Sequence, residues 1–77
     1  MPKQDPVNMH YTITVKWSDD DQTFVVYLPD WEGLLLQPCA DGKTYAEAIQ
    51  QGEQVLDDMI AVFKREGKQL PPVKAYA

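Results

Sequence analysis

Tyr11 to Trp17 alternates without a break. Tyr11, Ile13, Val15 and Trp17 fall on one side, and Thr12, Thr14 and Lys16 on the other. A period of two with β-branched residues on both sides predicts a half-buried strand. Ser18 to Gln22 is short and polar, which predicts a turn, and Thr23 to Leu28 predicts a second strand. A turn of about five residues lets the two pair as an antiparallel hairpin. Pro29 cannot donate a ladder hydrogen bond and ends the second strand, and a Pro29-to-Gly33 turn follows. The apolar run Leu34 to Ala40 predicts a third strand, interrupted or ended near Pro38, with Asp41-Gly42 as the next turn.

The pattern then changes period. Tyr45, Ala48, Ile49, Gly52, Val55, Leu56, Met59, Val62 and Phe63 recur at spacings of three and four, the stripe of an amphipathic helix. Thr44 is a suitable N-cap, and Glu47 three residues later completes a capping box. Lys64 and Arg65 suit the negative end of the helix dipole. Gly67 suits C′, and Pro71-Pro72 forbids continuation. Gly52 costs the helix about 1 kcal/mol relative to alanine. Its place on the apolar stripe predicts a close approach of helix to sheet. Val73 to Ala77 is a candidate short terminal strand, and Met1 to Asn8 a polar, proline-containing flexible lead.

These elements predict an α+β domain: a three- or four-stranded antiparallel sheet with one long helix on one face, in the order β-β-β-α-β. Residues 1–9 form the lead and 10–77 a single domain. The helix is expected to cover the face bearing Tyr11, Ile13, Val15 and Trp17, which makes Trp17 a core residue. No second helix is available for the opposite face. An antiparallel sheet can leave such a face to solvent, and a partner or a second copy could equally use it. Thr12, Thr14, Lys16, Val25 and Tyr27 are its candidate interface residues. Trp31, between Asp30 and Glu32, joins them as an exposed aromatic anchor, with packing over the end of the core as the alternative.

Seventy-seven residues allow one core and a stability of roughly 3–5 kcal/mol, so assembly or a partner would help. Net charge is −5 and the isoelectric point about 4.5. That disfavours direct nucleic-acid binding, which needs Lys and Arg against phosphates. It fits docking on a basic surface, or solubility alone. Cys39 is the single cysteine, so no internal disulfide is available and a reducing cytoplasm is expected, with Cys39 a buried, inert thiol. No apolar run is long enough to span a membrane.

Candidate chemistry is sparse. Asp19-Asp20-Asp21 lacks the alternating spacing of a calcium loop and reads as a solvated turn. Asp30, Asp41 and Glu47 flank strand ends and a helix start, where two-metal nucleases place carboxylates, but each also has a turn or capping role. His10 has no patterned partner. No catalytic residue, metal or cofactor is expected.

Three segments carry a resemblance. They are Leu28-Pro29-Asp30-Trp31-Glu32-Gly33, then Gly42-Lys43-Thr44-Tyr45-Ala46-Glu47-Ala48, and the closing Gly67-Lys68-Gln69-Leu70-Pro71. In order and at this spacing the chain resembles the HicB-like antitoxin family over Tyr11 to Pro72. The family positions are filled by Pro29, Asp30, Gly33, Gly42, Thr44, Glu47, Ala48, Gly67, Leu70 and Pro71. The resemblance implies a partial RNase H-like fold without nuclease activity. It implies an antitoxin that binds a small, basic, mRNA-cleaving HicA-like toxin and blocks its active site. It also implies a homodimer or larger homo-oligomer. Two departures stand out. Many members carry a C-terminal DNA-binding segment for which this sequence has no room, so autorepression by this chain alone is not expected. A cysteine or histidine often closes the Pro-to-Gly turn, where Leu34 stands here. The rival expectations are an orphan homo-oligomeric regulator or adaptor without a toxin and, less favoured, a metal-dependent nuclease.

Overall fold

The computed structural model describes residues 10–73. Strands β1 (Thr14–Ser18) and β2 (Thr23–Tyr27) form the antiparallel hairpin that the alternation predicts, with Thr14 opposite Tyr27 and Ser18 opposite Thr23. A single 3-10 turn, Pro29–Trp31, follows, then strand β3 (Ala40–Gly42) and helix α1 (Tyr45–Arg65). The sheet is three-stranded and antiparallel in the order β1-β2-β3, with α1 packed against it. This is the α+β architecture expected from the pattern. The proposed terminal strand Val73–Ala77 falls outside the described residues but for Val73, and the lead 1–9 lies wholly outside them.

The third strand lies later than the apolar run predicts. Ala40–Gly42 pairs with Val26–Phe24, so Asp41 and Gly42 are strand rather than turn. Residues 34–38 instead loop outward, with Leu36 91% exposed and a cis Gln37–Pro38 peptide bond. The reason is visible at Leu28. The Gln37 side chain accepts the Leu28 N–H at 2.6 Å and donates to the Leu28 carbonyl at 2.9 Å. One side-chain amide thus takes the place of a strand's backbone, and ladder pairing resumes with the Cys39 N–H on the Val26 carbonyl at 2.9 Å.

Helix α1 is bounded as its end residues predict. Thr44 Oγ1 accepts the Glu47 N–H at 3.0 Å, while Glu47 Oε1 accepts the Lys43 N–H at 2.7 Å, one residue earlier than in a standard capping box. At the far end Gly67 has φ +72°. The Lys68 N–H reaches the Phe63 carbonyl at 2.9 Å and the Gly67 N–H the Lys64 carbonyl at 3.2 Å, a Schellman motif. The buried face is Ala48, Gly52, Leu56, Ile60 and Phe63. Ile60 therefore joins the predicted stripe, whereas Tyr45 and Ile49 leave it for solvent.

The course of the helix explains that exchange. Its first turn presses on β3: a Cβ on Gly42 would lie 2.5 Å from Ala48 N. At Gly52 it crosses Val26 and Ile13, where a Cβ would lie 2.9 Å from Val26 Cγ1. The predicted close approach at Gly52 is therefore present. At Phe63 it meets Trp31, ring centroids 5.2 Å apart, and Trp31 meets Tyr11 at 5.4 Å. The helix thus runs diagonally, and the core gathers around Tyr11, Leu28, Trp31, Leu56, Ile60 and Phe63. Of the two readings of Trp31 the structure takes the packed one, whereas Trp17 does not take its expected core place. Trp31 is fully buried, and Trp17, at the end the helix does not cover, is 49% exposed.

Candidate functional site

The sheet face away from α1 carries Thr14, Lys16, Val25 and Tyr27, since Thr14 stands opposite Tyr27 and Lys16 opposite Val25 in register. This face is less apolar to a visitor than its sequence suggests. Val25 is buried, with Lys16 opposite it on one side and Asp41 on the other. The Lys16 ammonium lies 5.5 Å from the centroid of the Tyr27 ring, a cation–π contact. Thr12 precedes the strand, and its N–H donates to Asp30 Oδ2 at 2.9 Å. Of the six candidate interface residues, Trp31 is removed by the structure, because a fully buried indole cannot anchor a partner. The Trp31 indole N–H has no hydrogen-bond partner among the described residues.

Beside this face the loop after the 3-10 turn forms a shallow groove of about 450 Å3, lined by Tyr27, Pro29, Glu32, Leu35, Leu36 and Gln37. Leu34 and Leu36 stand exposed next to it.

On the helix side two aromatics, Trp17 and Tyr45, stand exposed among the described residues. Trp17 meets Phe24 edge to face, centroids 5.1 Å apart, and Phe24 meets Tyr45 at 4.4 Å. Tyr45 is 63% exposed and Ile49, one turn on, 41%. The hairpin turn beside Trp17 holds Asp19, Asp20 and Asp21, all exposed. Asp19 Oδ1 accepts the Trp17 indole N–H at 2.8 Å, and Ser18 Oγ and Asp21 exchange hydrogen bonds at 3.2 and 3.3 Å. The available signal was positional. Trp17 is the last residue of its alternation and abuts the acidic turn, where a helix that starts on β3 does not reach.

The residues that carry the resemblance hold the joints of the fold. Pro29 and Asp30 form the 3-10 turn, and buried Asp30 holds the chain ahead of β1 through Thr12. Gly33 has φ +87°. Gly42, Thr44, Glu47 and Ala48 dock and cap the start of α1, and Gly67 ends it. The Pro71 carbonyl accepts the Tyr11 hydroxyl at 2.6 Å, tying the closing segment to the core.

Few groups are primed for chemistry. Burial, with a smaller contribution from the Asp30 charge, raises the Tyr11 pKa above its ordinary 10.0. Burial likewise raises the Cys39 thiol, which sits 3.6 Å from the Val26 carbonyl and only in part loses that effect to a backbone hydrogen bond. Asp30, Asp41 and Glu47 are not brought together as a metal site: among the described residues no group of three His, Cys, Asp or Glu could hold an ion. His10 is exposed. No helix of the described residues is long and apolar enough to cross a membrane.

Comparison of the chain with protein-family models, with curated proteins and with solved structures returned no match.

Proposed function

We propose that this protein is an antitoxin-like binding module of the HicB-like type. It neutralises a small, basic, mRNA-cleaving toxin by direct, stoichiometric docking, within the cytoplasm, and needs neither catalysis nor a cofactor. The observation that carries the reading is the use of the three motif segments. Each builds a joint of one α+β unit: the 3-10 turn at Asp30, the sheet–helix junction at Gly42–Ala48, and the tie of Pro71 to Tyr11. Motif residues in these places support the resemblance as one of architecture rather than of scattered letters. The partial RNase H-like topology belongs to the same proposal. The net charge of −5 supports a basic partner, because opposite fields speed encounter and select against acidic competitors.

The test is a gentle tagged isolation from the native host with the intact mass of what elutes. The expected result is a complex with one small basic protein at fixed stoichiometry. Elution of the chain with no such protein would overturn the reading.

One observation favours a second reading, an orphan homo-oligomeric regulator or adaptor. Leu34 and Leu36 stand exposed beside an apolar groove, a surface that a second copy would cover. A homo-oligomer that elutes alone is the result this reading expects. The metal-dependent nuclease gains no support from the placement of its three carboxylates.

A further inference from the structure

The diagonal course of α1 leaves one end of the sheet uncovered on its inner face, and the residues there are aromatic. Trp17, Phe24 and Tyr45 make a continuous aromatic cluster with centroid spacings of 5.1 and 4.4 Å, and Ile49 lies one turn on along the helix. Phe24 is the half-buried floor, while Trp17, Tyr45 and Ile49 present about half of their surface to solvent. A domain this small has little reason to leave a tryptophan so exposed when a second one fills its core.

The charged group bonded to the patch is acidic. Asp19 accepts the Trp17 indole N–H, exposed Asp20 follows it in the turn, and exposed Glu53 follows Ile49 by one helical turn, while Asp21 shares a groove with Lys43. The nearer lysines face elsewhere. Lys16 lies on the opposite sheet face against Tyr27, and Lys43 lines the grooves on the β3 side. An indole and a phenol ring within an acidic rim attract guanidinium and ammonium groups twice, through the ring faces and through the carboxylates. Two copies meeting through this patch would set acidic rim against acidic rim, which costs association rather than aiding it.

We propose that the Trp17–Phe24–Tyr45–Ile49 patch, edged by Asp19 and Asp20, is the seat for an arginine- or lysine-flanked apolar segment of a basic protein partner. The proposal rests on the docking function above and names the surface that performs it. Trp17 is the central anchor, held in its rotamer by Asp19, and Tyr45 and Ile49 form the wall.

The two tryptophans supply the test. In the 15N-labelled full chain each gives an indole signal, one from the exposed patch and one from the buried core. The probe is a short peptide of alternating arginine and leucine, with glutamate replacing arginine in the control peptide. The expected result is a saturable, salt-sensitive shift of the Trp17 signal with the arginine peptide alone, while Trp31 stays still. Tyr45→Ala, at an exposed first helical position, should weaken binding about tenfold, the scale of an aromatic anchor. Replacing Asp19 and Asp20 by Asn should flatten the salt dependence. A stationary Trp17 signal, or perturbation centred on Tyr27 instead, overturns the proposal. So does a Trp17 shift on concentrating the protein alone, which makes a second copy the occupant. The native complex separates the two levels of argument. If the basic protein elutes as well with Tyr45→Ala combined with Ile49→Glu as with wild type, the patch is wrong and the docking function stands. If no basic protein elutes with the unaltered chain, the docking function itself falls and the patch proposal with it.

Discussion

Replacing Gly42 by alanine tests the joint between sheet and helix. A Cβ at that position would lie 2.5 Å from Ala48 N, 2.8 Å from Ala48 Cα and 2.8 Å from the Glu47 carbonyl carbon. Ordinary contact begins near 3.5 Å, so β3 and the first turn of α1 must part by about 1 Å. All three obstructing atoms are backbone, and no rotamer change can clear them. The parting strains the Thr23 hydroxyl bond to the Gly42 carbonyl, 2.9 Å, and the first helical bond from Ala48 N–H to Thr44, 2.9 Å. Overpacking of this kind costs about 1–3 kcal/mol. The stiffer unfolded chain returns only about 0.4–1 kcal/mol. We expect a net loss of about 1 kcal/mol from a total of roughly 3–5. In urea, at about 1 kcal/mol per molar for a chain this short, the midpoint should fall by about 1 M. Gly52→Ala is the matched comparison. Its Cβ would meet side chains, Val26 Cγ1 at 2.9 Å and Ile13 Cγ2 at 3.4 Å. There alanine also adds about 1 kcal/mol of helix propensity, so the loss should be the smaller of the two. A Gly42→Ala midpoint equal to or above wild type would refute the packing argument.

Asp30→Ala leaves the Thr12 N–H without its carboxylate in a buried site, and chemical denaturation should show a loss of about 1–3 kcal/mol. The raised Tyr11 pKa has a pH signature. Above pH 10.0 the unfolded chain gives up the phenol proton while the folded one keeps it, so stability falls as pH rises from there through the folded value. Below that window the contribution is fully present. Thermal melts across the alkaline range should show the decline, and Tyr11→Phe should reduce it while losing about 1 kcal/mol at neutral pH with the bond to Pro71. Cys39, half-buried with its thiol pKa raised, should react with a thiol-specific reagent at mildly alkaline pH more slowly than a free cysteine does, and reach the free rate on unfolding.

Much of this fold is written in local pattern. The β1–β2 hairpin follows from period-two alternation, and α1 from its stripe with Thr44, Glu47 and Gly67 at its ends, because these signals act within a few residues. What was not legible depends on partners distant in sequence. β3 starts at Ala40 because the Gln37 side chain occupies Leu28, a choice that no propensity encodes. Trp17 lies outside the core because the helix crosses the sheet at a slant set by the close approaches at Gly42 and Gly52. The apolar stripe records that Tyr45 and Ile49 share a helix flank with core residues, but not where the sheet beneath them ends. The exposed patch is the product of that slant, and so escaped a reading that placed Trp17 in the core.

The central claim is neutralisation, and reconstitution tests it most directly. The small basic protein that elutes with the chain is separated from it under denaturing conditions, refolded, and given an mRNA substrate. It should cleave the RNA alone, and cleavage should fall to background once the chain is added back at equal molar amount. Cleavage that persists under a large excess of the chain, or a partner that cuts no RNA, would contradict the claim.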